Sequence, residues 1–203
     1  MPEGWKTTTV FIVLPAQFLS PELNQRKDRW GGSLENRSGL IREVLNRIRG
    51  IVHPDLQLGL RLSPERFGLR MAEVLDVAQA IMQSGVIDWL DMSLWDFMKV
   101  PEEREFAHKP LMSWFAELDR GTARLGIAGN IIGGGEARQA MEMGADFVLI
   151  GKGAILAHDF PNNIAADPDY QSPSRPVSEE FLRKEGLGSA FIDYMRSFGA
   201  FVS

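Results

Sequence analysis

The sequence contains no cysteine. That excludes a disulfide framework, a thiolate metal site and a cysteine nucleophile, and it fits a reducing compartment such as the cytosol. Only two tyrosines and three histidines occur in 203 residues, so phenol or imidazole chemistry has few places to sit. No basic block is present, and the formal net charge is -5. Nucleic acid and anionic membrane surfaces are therefore not expected partners. Long apolar runs are missing too. Lys6 precedes Val10-Phe11-Ile12-Val13-Leu14, which is far too short to span a bilayer and has no small-x-small cleavage site. We read it as a buried strand.

What is present is an ordinary globular balance, 44% hydrophobic and 24% charged, enough for one sizeable core. After Ser33, a suitable N-cap, Leu34, Leu40, Ile41, Val44, Leu45 and Ile48 recur at helical spacing. "LQLGLRLS" (residues 56–63) alternates as a strand, and "MAEVLDVAQAIMQSG" reads as a helix stopped by Gly85. "IDWLDMSL", "LGIAGNII" and "DFVLIG" are further strands, separated by helical segments over residues 111–118 and 136–143. "QSGVIDWLDM" and "EMGADFVLIG" repeat one pattern: helix end, Gly, Asp, apolar strand. Such units imply a parallel sheet covered by helices, either an open doubly wound sheet or a (β/α)8 barrel. No G-x-G-x-x-G joins a strand to a helix, so a dinucleotide fold has little support. "DPDYQSPSRP" is a linker, followed by short helices over residues 179–184 and 189–198 that are expected to dock on the same domain.

In parallel α/β proteins ligands meet the C-terminal strand ends. Arg61 lies near the end of "LGLRL", and a charge that cannot be shed needs a partner. That partner is either a neighbouring carboxylate such as Asp91 or an anionic or carbonyl-bearing ligand. Gly129 and Asn130 follow one strand; Gly151, Lys152 and Gly153 follow the next. Small residues let the backbone approach a phosphate, and Lys152 adds charge. Gly133-Gly134-Gly135 lacks the Lys-Ser/Thr of a P-loop and reads as a flexible helix entry. His53 precedes a strand and so lies at the wrong end, His108 sits in an irregular segment that reads as surface, and His158 has no second ligand at metal spacing, so no metal is assigned.

Four stretches, "QFLSPELNQRKDRWGGSLENR" (residues 17–37), "LGLRLSP", "GIAGN" and "ADFVLIGKGAIL", resemble the old yellow enzyme family of FMN-dependent NAD(P)H:flavin oxidoreductases. The first is the most specific, through Asn24, Arg26, Asp28, Trp30, Gly31, Gly32, Ser33, Glu35, Asn36 and Arg37. The resemblance implies a TIM barrel with FMN at the C-terminal strand ends, reduced by NAD(P)H. Arg61 would contact the flavin ring at its N1/C2 carbonyl edge. Gly129, Asn130, Gly151 and Lys152 would hold the phosphate, with Lys152 standing where the family usually has Arg.

In the family the opening loop follows the fourth barrel strand, so this chain is expected to form an incomplete barrel of about the last four to five βα units. Residues 1–16 are expected to be an atypical segment in place of that strand, residues 17–167 the C-terminal half of the barrel, and residues 168–203 a linker and docked helical tail. The family's His-x-x-Asn or His-x-x-His pair falls here on Thr8 and Phe11, and its proton-donating Tyr on Val13. None can do that work, so no catalytic residue is assigned. "MPEGWKTTTVFIVLP" reads as a frameshifted start, a gene fragment or a replacement strand. An open parallel sheet leaves edges and an apolar interior unpaired, which predicts self-association or a partner half-barrel. The resulting expectation is a cytoplasmic FMN oxidoreductase passing hydride to a small-molecule acceptor such as an activated alkene. The alternatives are a non-catalytic half-barrel that binds FMN weakly or only with a partner chain, and a phosphate-ligand barrel enzyme of another class.

Overall fold

β2 (Gln57–Leu62) shows why the chain folds as it does. Leu58, Leu60 and Leu62 alternate with Gln57, Gly59 and Arg61, and successive side chains of a strand point to opposite faces. The three leucines are buried, as are Leu90 and Met92 of β3 (Trp89–Ser93) and Leu125 and Ile127 of β4 (Arg124–Ala128). The helices α2 (Leu34–Ile51), α3 (Met71–Gln83) and α4 (Leu111–Ala116) bring Ile41, Leu45, Val74, Ile81, Met112 and Phe115 into the same core. Each fully buried side chain of this kind contributes roughly 1.5–3 kcal/mol. The other sheet face carries Gln57, Gly59, Arg61, Trp89, Asp91, Ser93 and Arg124, all small, polar or amphipathic.

The computed structural model describes residues 7–11 and 14–203, with side chains from Pro15 onward. The sheet order is β1-β2-β3-β4-β5, with β1 at Thr7–Phe11 and β5 at Phe147–Val148. The pairs from β1 to β4 are all parallel. A doubly wound sheet reverses its strand order at a switch point. This sheet follows the chain without reversal, so the barrel-type alternative is the one adopted. Among the described residues no helix is long and apolar enough to cross a membrane.

The N-terminal strand differs from its expected position. β1 ends at Phe11, Ile12 and Val13 lie outside the described residues, and Leu14 already opens α1 (Leu14–Leu19). Pro15 sits in the first turn of that helix, where a missing N–H costs nothing. The strand expected from "DFVLIG" shortens to two residues.

The chain divides into two compact units. One comprises the residues up to Gly129 together with Met143–Phe147, and the other Asn130–Glu142 together with Val148–Ser203. The second unit has its own core of Leu156, Val177, Leu182, Ile192, Met195 and Phe201. These come largely from α6 (Lys152–Leu156), α8 (Glu179–Lys184) and α9 (Ser189–Arg196). Its glycine triplet is no flexible entry. α5 (Gly134–Glu142) starts within it, and a Cβ on Gly134 would come within 1.9 Å of the Pro168 carbonyl. The Gly134 N–H donates to the Tyr170 carbonyl at 2.8 Å. Close packing requires glycine here.

The loop before α2 turns out to be scaffolding. Asn24 Nδ2 donates to the carbonyls of Phe18 and Trp30, both at 2.6 Å. Asn36 Nδ2 donates to the Gly31 carbonyl at 3.0 Å, and Ser33 Oγ accepts from the Asn36 N–H at 3.3 Å as the N-cap. Arg37 is buried. It donates to the carbonyls of Gly32 and Leu19 and forms a two-pronged pair with Glu73 of α3 at 2.9 and 2.8 Å. One guanidinium thus ties the loop, α1 and α3 together.

The repeated Gly–Asp–strand pattern also has a structural meaning. Asp88 Oδ2 accepts from the Leu58 N–H and from Arg49, both at 2.6 Å. Asp146 Oδ2 accepts from the Leu125 N–H at 2.7 Å and from Arg120 at 2.8 Å. Each aspartate pins the start of the preceding strand and neutralises one arginine.

Arg37→Ala is expected to lower stability by about 3–5 kcal/mol, because it strands Glu73 and two loop carbonyls. Urea unfolding checks this, and a loss under 1 kcal/mol would refute the scaffolding role.

Candidate functional site

The sheet face away from the helices places Arg61 and Asp91 opposite each other as register partners on β2 and β3. Arg61 Nε lies 2.6 Å from Asp91 Oδ2; the aspartate side chain is 3% exposed and the arginine 29%. The carboxylate partner anticipated for Arg61 is therefore present. Burial pushes the Asp91 carboxyl above its ordinary range, and the nearby Arg61 charge pulls the other way. Its second oxygen, Oδ1, is buried and meets no hydrogen-bond donor among the described residues. An acceptor left in that state is costly unless something supplies a proton or a donor.

Gly129 follows β4. A Cβ there would come within 2.9 Å of the Phe97 backbone nitrogen, and its carbonyl accepts from the Phe97 N–H at 3.3 Å. Its lack of a side chain thus has a packing reason besides any ligand. Asn130 is exposed and left-handed, with φ 55°, a region Asn tolerates well. Gly151 is exposed and precedes α6. Lys152 is half-buried and, among the described residues, makes no ion pair or hydrogen bond from its ammonium. Arg61 and Gly129 belong to the first compact unit; Asn130, Gly151 and Lys152 belong to the second. Thr8 and Phe11 lie on β1, opposite Leu58 and Arg61, but their side chains, like Val13 as a whole, fall outside the described residues. Among the described residues no group of three metal-ligating side chains is gathered.

The model of the NADH:flavin oxidoreductase / NADH oxidase family matches residues 12–169. The chain belongs to this family, the old yellow enzyme group. It is 28% identical over 195 residues to an NADH:acrylate oxidoreductase of Vibrio harveyi, covering 88% of this chain and 19% of that protein. It is 31% identical over 157 residues to an NADPH dehydrogenase of Bacillus pumilus, covering 74% of this chain and 45% of that protein. Among solved structures, morphinone reductase superposes with a TM-score of 0.64 at 24% identity, covering 88% of this chain and 47% of the other. The chain thus spans less than half the length of these relatives. The fold likeness and the family match bear out the resemblance and the partial barrel-type α/β fold.

The sequence offered Asp91 as a partner for Arg61, but the burial of its second oxygen was not legible there; an acid inside the apolar strand "WLDMS" was the available signal. Strain in the strand-end loops escaped the sequence altogether. Phe67 and Trp95 have φ 59° and 60°, a left-handed conformation that costs a non-glycine residue about 1–2 kcal/mol. Trp95 is also exposed, with the Arg66 guanidinium 4.3 Å from its ring centre. Strain of this kind clusters where ligands bind.

His158 takes a structural role. Its Nδ1 lies 2.8 Å from Glu185 Oε2, which also accepts the His158 N–H at 3.0 Å. The hydrogen bond with Glu185 raises the imidazole above its ordinary 6.5, and the same bond lowers Glu185 below 4.5. The histidine's contribution is complete below its unfolded value and is lost as pH rises through the raised folded value. The glutamate's is complete above its unfolded value and is lost as pH falls through the lowered one. The contact is therefore strongest between the two. In an NMR titration His158 is expected to titrate above 6.5, and Glu185→Gln to return it towards that value. An unchanged midpoint in the variant would disprove the coupling.

Proposed function

We propose that this chain forms the FMN-binding half of an NAD(P)H-dependent flavin oxidoreductase. FMN supplies hydride exchange between NAD(P)H and an electron-poor acceptor such as an activated alkene. Arg61 holds positive charge at the pyrimidine edge of the ring, and Asp91 fixes the guanidinium from behind. Gly129, Asn130 and Gly151 offer backbone approach for the phosphate, and Lys152 offers its charge as a single point in place of a bidentate fork. The observation that carries the reading is the Arg61–Asp91 pair near the strand tips, in a chain whose family match spans residues 12–169. The half-buried Lys152 ammonium, which pairs with no carboxylate among the described residues, agrees with a phosphate counterion.

The described residues supply five strands against the eight of a closed barrel. The proposal therefore includes further polypeptide, from a second copy or another half-barrel, around the cofactor. It also places the protein in the cytoplasm with its nicotinamide pool. A second reading, a non-catalytic half-barrel with weak FMN affinity, is favoured by Thr8, Phe11 and Val13 at the positions of the family's substrate-binding pair and tyrosine.

Purified protein, loaded with FMN and desalted, is expected to keep a flavin absorbance spectrum on a discrete species in size exclusion. Arg61→Gln and Lys152→Gln are each expected to weaken FMN by roughly tenfold or more, the effect of losing a charged hydrogen bond. Protein that comes off colourless refutes the FMN reading. Retained flavin without NADPH oxidation selects the non-catalytic one.

A further inference from the structure

At the opposite ends of the same strands lies a cavity of about 510 Å³ that the flavin reading does not use. Gln57, Trp89, Thr122, Arg124 and Phe147 line it. Trp89 and Arg124 are register partners on β3 and β4, so they stand side by side on the face turned away from the helices. The indole packs on bare backbone of β2: a Cβ on Gly59 would come within 2.0 Å of Trp89 Nε1. Phe147 adds a second, half-buried ring.

Arg124 is exposed and brings its charge to the cavity. Asp88 lines the same cavity, but its Oδ2 already accepts from Arg49 and the Leu58 N–H. Asp146 is taken by Arg120 and the Leu125 N–H. Among the described residues the Arg124 guanidinium makes no ion pair or hydrogen bond. An exposed planar cation with no ion pair among the described residues, beside an aromatic wall and in a space within the roughly 300–1,000 Å³ of small-molecule pockets, suits a flat ligand with one carboxylate. The guanidinium fork matches a carboxylate two-pronged, and the rings take the ligand's apolar face. Gln57 and Thr122 add an amide and a hydroxyl for further polar groups.

We propose that this cavity binds a planar aromatic carboxylate, with its ring against Trp89 and its carboxylate on Arg124. The site is a binding site and not a second catalytic one. Along β3 it lies about 13 Å from the strand tip, four residues at about 3.3 Å each.

Calorimetric titration of the full chain with 2-naphthoate tests this. Saturable binding is expected, weakened at least tenfold in Arg124→Gln and by an intermediate factor in Arg124→Lys. The neutral 2-naphthamide is expected to bind wild type and Arg124→Gln alike. In the wild-type protein, naphthoate should shift the Trp89 indole N–H signal, assigned through Trp89→Phe. Three results would each overturn the proposal: no saturable binding to folded wild type, including a cavity closed by another chain; equal naphthoate affinity in Arg124→Gln; or shifts confined to other tryptophans.

Discussion

A strand that must bury one side cannot choose what its other side shows. Leu58, Leu60 and Leu62 have to face the helices, and the two-residue period then sends Gln57, Gly59 and Arg61 to the opposite face. The same rule sends Trp89 and Asp91 there from β3. Parallel register lines them up, Gly59 with Trp89 and Arg61 with Asp91. Both the charged pair of the candidate flavin site and the aromatic wall of the second cavity follow from that constraint. A slip of one residue in β2 would exchange Arg61 for leucine and abolish both.

Arginine–carboxylate geometry organises the rest, in two forms. Away from the strand tips the pairs are complete. Arg37 with Glu73, Arg49 with Asp88 and Arg120 with Asp146 each use backbone groups as well as the opposite charge. Such pairs hold a fold in place and leave little capacity for a ligand. Near the tips Asp91 keeps a buried oxygen without a donor among the described residues, and its carboxyl is raised by burial. Incomplete satisfaction sets this candidate site apart from the structural pairs, since a fully satisfied network has little left to offer.

This distinction reverses the standing of the most recognisable segment. The loop over residues 17–37 carries the family resemblance most strongly, yet Asn24, Ser33, Asn36 and Arg37 spend their polar groups on backbone carbonyls, backbone N–H groups and Glu73. It is specific because the buried Asn24 and Arg37 and the backbone groups they meet must be answered at once. The repeated Gly–Asp–strand pattern is specific for a similar reason, with each aspartate anchoring the strand before it.

The sequence by itself determined the alternation of strands and helices, the Ser33 cap and the stop at Gly85, because these rest on local periodicity and short-range capping; its likeness to the family rests instead on the order of residues in a few short stretches, residues 17–37 above all. It also located Arg61 and offered Asp91 as its partner, since a charge inside an apolar strand must be answered. It left the doubly wound and barrel architectures open, because strand order is a relation between distant segments. Only the tertiary structure decided that order, the packing that makes Gly134 irreplaceable, the burial of the Asp91 carboxylate and the placing of Trp89 beside Arg124. Each of these depends on which atoms meet across the sheet, and a linear pattern cannot specify such meetings until neighbouring strands are in register.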